Sequence, residues 1–418
     1  MLMHSSLAAL LALGASLAVA SPINLEVRTP SIPTNIDGSV NHIELDTLIQ
    51  SSLDKAFAGG KPLSKRAAAA ANVALTEEAA GTQDIYYLAT ASIGTPAQSI
   101  PAIVDTGSYD LLVKQYTPAK GKPFNSAASS TFVNTGTQVG GGFVTGGTFV
   151  ADKTRDTVSV GGLAVAGQYF ASTASDDDYS VFGFGFPALS NIHELNWFDS
   201  LVAAGKVAAN KFSLHLARIG SDAAGGVSEL TLGGANKARY TGAATRLPRA
   251  KFSFPGQDRW MVSLDSYVSG NGTKINSPTF AIIDSGAPYS YIPRAAATAF
   301  FQSIPGSSIF RSSAASVAGS TYTVDMWQFP CSASSEPGYV FTAAPGKTFA
   351  INHNDLSLGE IANGMCLGST FGVDVALAGQ QMAILGVDFL KGWYATFDFT
   401  DDSISLAAAL HWVLAQKA

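Results

Sequence analysis

The sequence predicts a mostly β protein built as two domains or lobes, and three observations lead there. At 418 residues the chain is too long for one small core. Its apolar residues come in short runs broken by Gly, Ser and Pro, with 41 glycines in all, which is a strand-and-turn pattern. One stretch occurs twice, the second copy 179 residues after the first. The composition, 47% hydrophobic and 13% charged, fits a well-buried globular body rather than disorder.

The repeated stretch is Ala-Ile-Val-Asp-Thr-Gly-Ser, ending in Asp105, Thr106, Gly107 and Ser108, and Ala-Ile-Ile-Asp-Ser-Gly-Ala, ending in Asp284, Ser285, Gly286 and Ala287. Each copy reads as a short buried strand that delivers an Asp at its end, with a Gly that lets the backbone turn behind it. A lone Asp-Thr-Gly is weak, because both Asp and Gly are common in turns. Two copies with the same apolar approach are far more specific. Two such loops facing each other would pair their carboxylates. Close carboxylates do not both ionise easily, so they share one proton, and the pair becomes an acid and a base able to activate water.

In chain order, residues 1–20 read as a signal peptide, with an apolar core over residues 7–17 and an Ala-Val-Ala site before Ser21. That core is too short for a stable membrane anchor, and no other run of about 18 apolar residues follows. Residues 21–66 are polar, carry four prolines and end in the dibasic pair Lys65-Arg66, which reads as a processing site at the end of a pro-segment. Residues 67–83 read as a flexible or weakly helical mature amino terminus. Strands are expected over residues 85–93 and 100–104, ahead of the first Asp loop. Leu111 to Val113 follow, then a Ser/Ala/Gly-rich passage to Gln138 and a hairpin over residues 139–150. Residues 156–160 read as a strand, and Val181-Phe182-Gly183 as an apolar run. A helix is expected over residues 197–207, with Phe198, Leu201, Val202 and Val207 on one face. Strands are expected over 212–216 and 230–232, and the lobe boundary near 241–247, giving lobes of 67–244 and 245–418. Residues 260–268 and 279–283 lead to the second Asp loop, 294–302 read as a helix, and 383–385 and 394–399 as late strands.

Charge excludes several classes. The net charge is −6, and residues 1–66 hold equal numbers of acidic and basic side chains, so the acidic balance belongs to the remainder. With no Lys/Arg-rich stripe, neither nucleic acid nor an anionic membrane is an expected partner. The six histidines have no metal-ligand spacing, so neither metal nor cofactor is expected. No Gly-x-Ser-x-Gly elbow supports serine catalysis. Asp176 to Asp178 read as a solvated loop, and Asn271-Gly272-Thr273 as an N-glycosylation acceptor on a turn. Two cysteines, Cys331 and Cys366, are either free buried thiols or, as a secretory context favours, one disulfide closing a loop of about 35 residues.

From about Ile85 to Ala408 the chain resembles the pepsin-like aspartic endopeptidases of the fungal secreted type. The resemblance rests on Ile93-Gly94-Thr95-Pro96-Ala97-Gln98 before the first Asp, on the two Asp loops, on Val181-Phe182-Gly183 and Ile384-Leu385-Gly386, and on the stretch from Ile384 to Phe399. It implies an all-β, bilobal, pepsin-like acid protease fold with two related barrel-like lobes and a central cleft for an extended polypeptide. It implies Asp105 and Asp284 as the catalytic pair and Thr106 and Ser285 as hydroxyls joining the loops. It also implies Cys331–Cys366 as the second lobe's disulfide, inhibition by pepstatin-like compounds, a monomer, and a secreted or vacuolar protease.

Three departures stand out. The family's flap tip maps among Gly140 to Phe143, putting Gly142 and Phe143 over the site, yet no Tyr occurs between Gln138 and Thr154. Leu112 stands where the family has the Trp that supports that Tyr, so the two losses together imply a rebuilt flap. Ser108 keeps a hydroxyl expected to donate to Asp105, while Ala287 offers none to Asp284. A carboxylate short of a donor has a raised pKa, so the pair is expected to work at less acidic pH than a typical relative. The rival reading is a catalytically weak or inactive secreted binding or inhibitor protein of the same fold.

Overall fold

The computed structural model describes residues 70–80, 83–115, 122–142, 148–174, 179–218, 227–251, 258–317, 320–377 and 380–410. The signal, the pro-segment, Lys65-Arg66, Phe143 and Asp176 to Asp178 lie outside the described residues. Strands dominate, and the described ones form three sheets.

Two of these sheets repeat one plan, which makes the fold bilobal. In the first half, Gln98–Asp105 runs parallel to Ser180–Gly183, which is antiparallel to Leu111–Lys114, which is parallel to Leu163–Thr173. In the second half, Lys274–Ile283, Gln380–Leu385, Ser290–Ile292 and Thr370–Val373 follow in the same order with the same directions. The strand that ends in each Asp loop therefore lies beside an apolar strand that crosses beneath it. These strands are covered on both faces, which is why they read as continuous apolar runs rather than alternating ones. Each half adds a hairpin ahead of its Asp strand, Gln83–Ile93 in the first and Met261–Val268 in the second.

The third sheet takes strands from both halves, in the order Ala71–Ala74, Glu229–Leu232, Lys211–His215, Trp393–Asp398, Ser403–Ala409 and Tyr240–Pro248. The halves meet where Lys211–His215 pairs antiparallel with Trp393–Asp398. Above this seam, Phe184, Phe186, Phe198, Phe212, Trp260, Phe397 and Phe399 pack ring against ring. A buried ionic node adds to it. Arg218 Nε donates to Asp355 Oδ1 at 2.7 Å, and Lys391 Nζ lies 3.2 Å from the same oxygen.

Three expectations need correction. Residues 67–83 are not helical where described: Ala71–Ala74 pairs with Glu229–Leu232, and Thr76–Ala80 pairs with Gln83–Ile93. The Ala-rich composition favours helix, but the open sheet edges supply backbone partners that outweigh that weak preference. The helix at Trp197 stops at Ala203, well short of Val207, because Gly205 turns the chain with φ of 62°. The Ser/Ala/Gly-rich passage contains strand from Val133, so the hairpin is Val133–Gly142 with Thr148–Val160. By contrast, Arg294–Gln302 is helical over the whole expected span. Cys331 and Cys366 are joined in a disulfide that staples the strand Ser320–Pro330 to its neighbour Met365–Gly368.

Candidate active site

Asp105 is the last residue of its strand, and Asp284 follows the end of its own. Each loop turns at once, so the backbone N–H two residues on donates to the carboxylate. Gly107 N donates to Asp105 Oδ1 at 2.7 Å, and Gly286 N to Asp284 Oδ1 at 2.8 Å. The two loops are locked by a reciprocal exchange. Thr106 N donates to Ser285 Oγ at 3.1 Å, and Ser285 N donates to Thr106 Oγ1 at 2.9 Å. Each hydroxyl then donates to the carbonyl ahead of the opposite Asp, Thr106 Oγ1 to Ile283 O at 2.9 Å and Ser285 Oγ to Val104 O at 2.7 Å. A hydroxyl can accept and donate together, which is why Thr serves in one loop and Ser in the other.

This exchange brings the carboxylates within hydrogen-bonding reach of each other. A Cβ built on Gly107 would fall 2.7 Å from Asp284 Cγ, and one on Gly286 would fall 2.5 Å from Asp105 Cγ. Glycine is required at both places by the close approach of the opposing carboxylate. Asp284 keeps some exposed surface but is otherwise enclosed by protein. Burial, and then the charge of Asp105, push its pKa far above the ordinary carboxylate value.

The crossing strands set the floor. Phe184 N donates to Asp105 O and Asp284 N to Leu385 O. Gly183 and Gly386 let them pass close: a Cβ would fall 2.7 Å from Tyr109 Cα in one case and 2.5 Å from Ala287 O in the other. Tyr109 is buried behind the first loop, and its hydroxyl donates to Asp199 Oδ2 at 2.7 Å.

The expected hydrogen bond from Ser108 is not made. Its hydroxyl is buried and has no partner among the described residues, so neither loop carries a side-chain donor of this kind on its Asp. Ala287 is buried in an apolar cluster with Met261, Ile282 and Tyr291.

The flap departs from expectation as well. Gly140, Gly141 and Gly142 are ladder residues, opposite Val150, Phe149 and Thr148, so the connection is residues 143–147 rather than a tip at 140–143. Those five residues lie outside the described ones. Next to the connecting end of the hairpin, Leu112 packs with Phe149, Ala171 and Ile192. Leu112, which stands where the resemblance puts a Trp, is thus part of an apolar cluster.

Sequence reasoning missed Asp110, Asn191 and Arg259. Asp110 accepts from Ser190 Oγ, Asn191 N, Asn191 Nδ2 and Ile192 N, at 2.6–3.3 Å. This holds Asn191 against the flap strand: a Cβ on Gly141 would meet Asn191 Oδ1 at 2.7 Å and the Phe149 ring at 2.6 Å. Arg259 reaches the first loop, where its Nη1 donates to Gly107 O at 3.2 Å. The only available signal for Arg259 was its place just before the conspicuous Trp260, and an isolated Arg has no pattern to mark it. No group of three or more His, Cys, Asp or Glu among the described residues is arranged to hold a metal.

Known proteins match this arrangement. The family model for eukaryotic aspartyl protease covers residues 86–409. An aspartic protease of Phaffia rhodozyma is 31% identical over 358 residues, covering 82% of this chain and 80% of that protein. Vacuolar protease A of Arthroderma otae is 29% identical, covering 77% and 78%. Cathepsin E of Mus musculus is 29% identical, covering 78% and 81%. Two Asp loops on one repeated sheet plan, matched to that family over residues 86–409, make this chain a member of the eukaryotic aspartyl protease family and a peptide-bond hydrolase.

Proposed function

We propose that the protein is an acid endopeptidase that cuts extended polypeptides with a water held between Asp105 and Asp284. The observation that carries this reading is the mutual approach of the two carboxylates, each bonded to its own loop N–H and each facing the opposite glycine. With its pKa raised by burial and by Asp105, Asp284 holds the proton that the pair shares. Asp105 takes a proton from the water as it attacks the scissile carbonyl, and Asp284 donates its proton to the carbonyl oxygen. The product of that step is a tetrahedral diol, with no covalent bond to the protein. Its collapse returns a proton to the leaving amine and breaks the C–N bond.

The leader fits the same reading. Residues 1–20 would direct the chain out of the cytosol, and cleavage after Lys65-Arg66 would release residues 67–418 from a pro-segment as two lobes that meet near residue 244. Two relatives, of Arthroderma otae and Aspergillus fumigatus, are called vacuolar protease A. Secretion or delivery to a vacuole follows from that context. Asn271 is exposed on a turn, as a glycan acceptor must be.

The test is hydrolysis of denatured haemoglobin or casein between pH 2 and 6 by the chain freed of its leader. Turnover blocked by pepstatin and lost in Asp105→Asn and Asp284→Asn supports the reading. No turnover across that range would favour the rival, a secreted binding protein, to which the unpaired Ser108 hydroxyl and the altered flap lend weight.

A further inference from the structure

Arg259 is set rigidly beside the carboxylate pair. The next residue, Trp260, is fully buried, its indole Nε1 donates to Phe184 O at 2.9 Å, and its ring packs on Phe186, Phe397 and Phe399. The backbone is thereby fixed, and the guanidinium of Arg259 reaches Gly107 O. Gly107 is the residue whose Cα faces Asp284, so the guanidinium lies at the margin of the pair and its charge acts on both carboxylates.

Several other arginines of the described body are neutralised locally. Arg218 pairs with Asp355, Arg239 with Glu229, Arg249 with Asp258 and Asp402, and Arg294 with Asp325. Arg259 has no carboxylate bonded to it among the described residues, and its Nε is buried without a partner. A guanidinium stays charged in proteins and presents its N–H groups as a planar fork that matches a carboxylate. Enclosing such a group with donors unfilled is costly unless an anion completes it. The pair itself shares a proton and bonds to its own loops, so it leaves that fork open.

We propose that Arg259 is a specificity-determining residue that receives a substrate carboxylate close to the scissile bond. An extended chain advances about 3.3 Å per residue, which puts the bound group within about two or three residues of the cut. Either a Glu or Asp side chain or the terminal carboxylate of a short product-sized segment presents the required chemistry. This inference rests on the endopeptidase reading and narrows it to a substrate class.

The experiment uses the full chain freed of its leader and two peptide series cut at one defined bond. In the first, Glu or Gln is placed in turn at each of the three positions on either side. In the second, the peptide ends two residues past the bond as a free acid or as an amide. At pH 5, where a Glu side chain is mostly ionised, the wild type is expected to favour the acid over its neutral isostere at one position by roughly tenfold or more in kcat/KM. The ratio is expected to fall towards one at pH 3 as the substrate group protonates. It is expected to fall to about one in Arg259→Gln at pH 5 and to persist in part in Arg259→Lys. A side-chain or terminal source is identified by which series responds. Equal kcat/KM for acid and neutral peptides at every position in the wild type overturns the proposal and leaves the protease reading standing. Turnover of none of the peptides or of denatured protein would overturn both. If Arg259→Gln does not fold, the wild-type ratio and its pH dependence decide alone.

Discussion

Gly107 lies against the carboxylate of Asp284 with no room for a methyl group between them. The same holds for Gly286 and Asp105. Gly107→Ala is expected to force the two loops apart at the point where the carboxylates must share a proton. A displacement of about 1 Å can cost a hundredfold in rate, so kcat/KM on a peptide substrate should fall by roughly that factor or more. Circular dichroism should stay native, because the strands beneath are untouched. Activity within a few fold of wild type would contradict the packing described.

Ser285→Ala removes the acceptor of Thr106 N and the donor to Val104 O, both buried. An unsatisfied buried backbone group costs about 1–3 kcal/mol, and urea unfolding should register a loss of that size. Ser285→Thr keeps the hydroxyl and is expected to lose little. The double variant Thr106→Ala with Ser285→Ala should cost less than the two single losses together, because both belong to one exchange.

The protein should be less stable at neutral pH than in mild acid. Burial pushes Asp388 up to about 6, against the hydrogen bonds it accepts from Ser290 and Ser369, and burial with the Asp105 charge pushes Asp284 up as well. A carboxylate whose folded pKa is raised binds more proton in the folded state than in the unfolded state. Stability from these two groups is therefore complete below the unfolded value of about 4 and declines as pH rises through the folded values. Asp355 has the opposite sense: burial raises it, but Lys391 and Arg218 together bring it below the ordinary value, so its contribution is lost only in stronger acid. Melting temperature should fall between pH 4 and 6, and Asp388→Asn should flatten that fall by on the order of 3 kcal/mol across the window. An unchanged slope in the variant would remove Asp388 from the account.

Ala287→Thr should shift the rate profile to more acid pH by up to about one unit. The resemblance puts a hydroxyl at this position in reach of Asp284, and a donor to a carboxylate favours the ionised form. The readout is kcat/KM against pH for both forms. No acid shift would count against the missing donor as a cause of the high Asp284 pKa.

Much of this architecture could be read from residues alone. The runs ending at Asp105 and Asp284, and the apolar strands with Gly183 and Gly386, are unbroken because both faces are covered, so they stand out in the sequence. The helix Arg294–Gln302 was equally legible, since it packs Ala296, Ala297, Phe300 and Phe301 inward. What stayed hidden depends on partners far along the chain. Ala71–Ala74 is a strand only because Glu229–Leu232 presents an edge to it. Arg259 and Asn191 became visible only once Gly107 and Gly141 were placed in space. Ser108 misled for a related reason: its position beside Asp105 suggested a hydrogen bond that its buried hydroxyl does not make.

The sheet that joins the halves also sets a clock on synthesis. Lys211–His215 can pair with Trp393–Asp398 only when the chain has grown almost to its end, and Thr106 must wait for Ser285. Contacts of such long sequence separation form slowly and late. A ribosome-bound chain that has not yet reached Ser285 holds Asp105 without an opposing loop to lock against it. Half of the carboxylate pair thus stands unmatched until the second loop has been made.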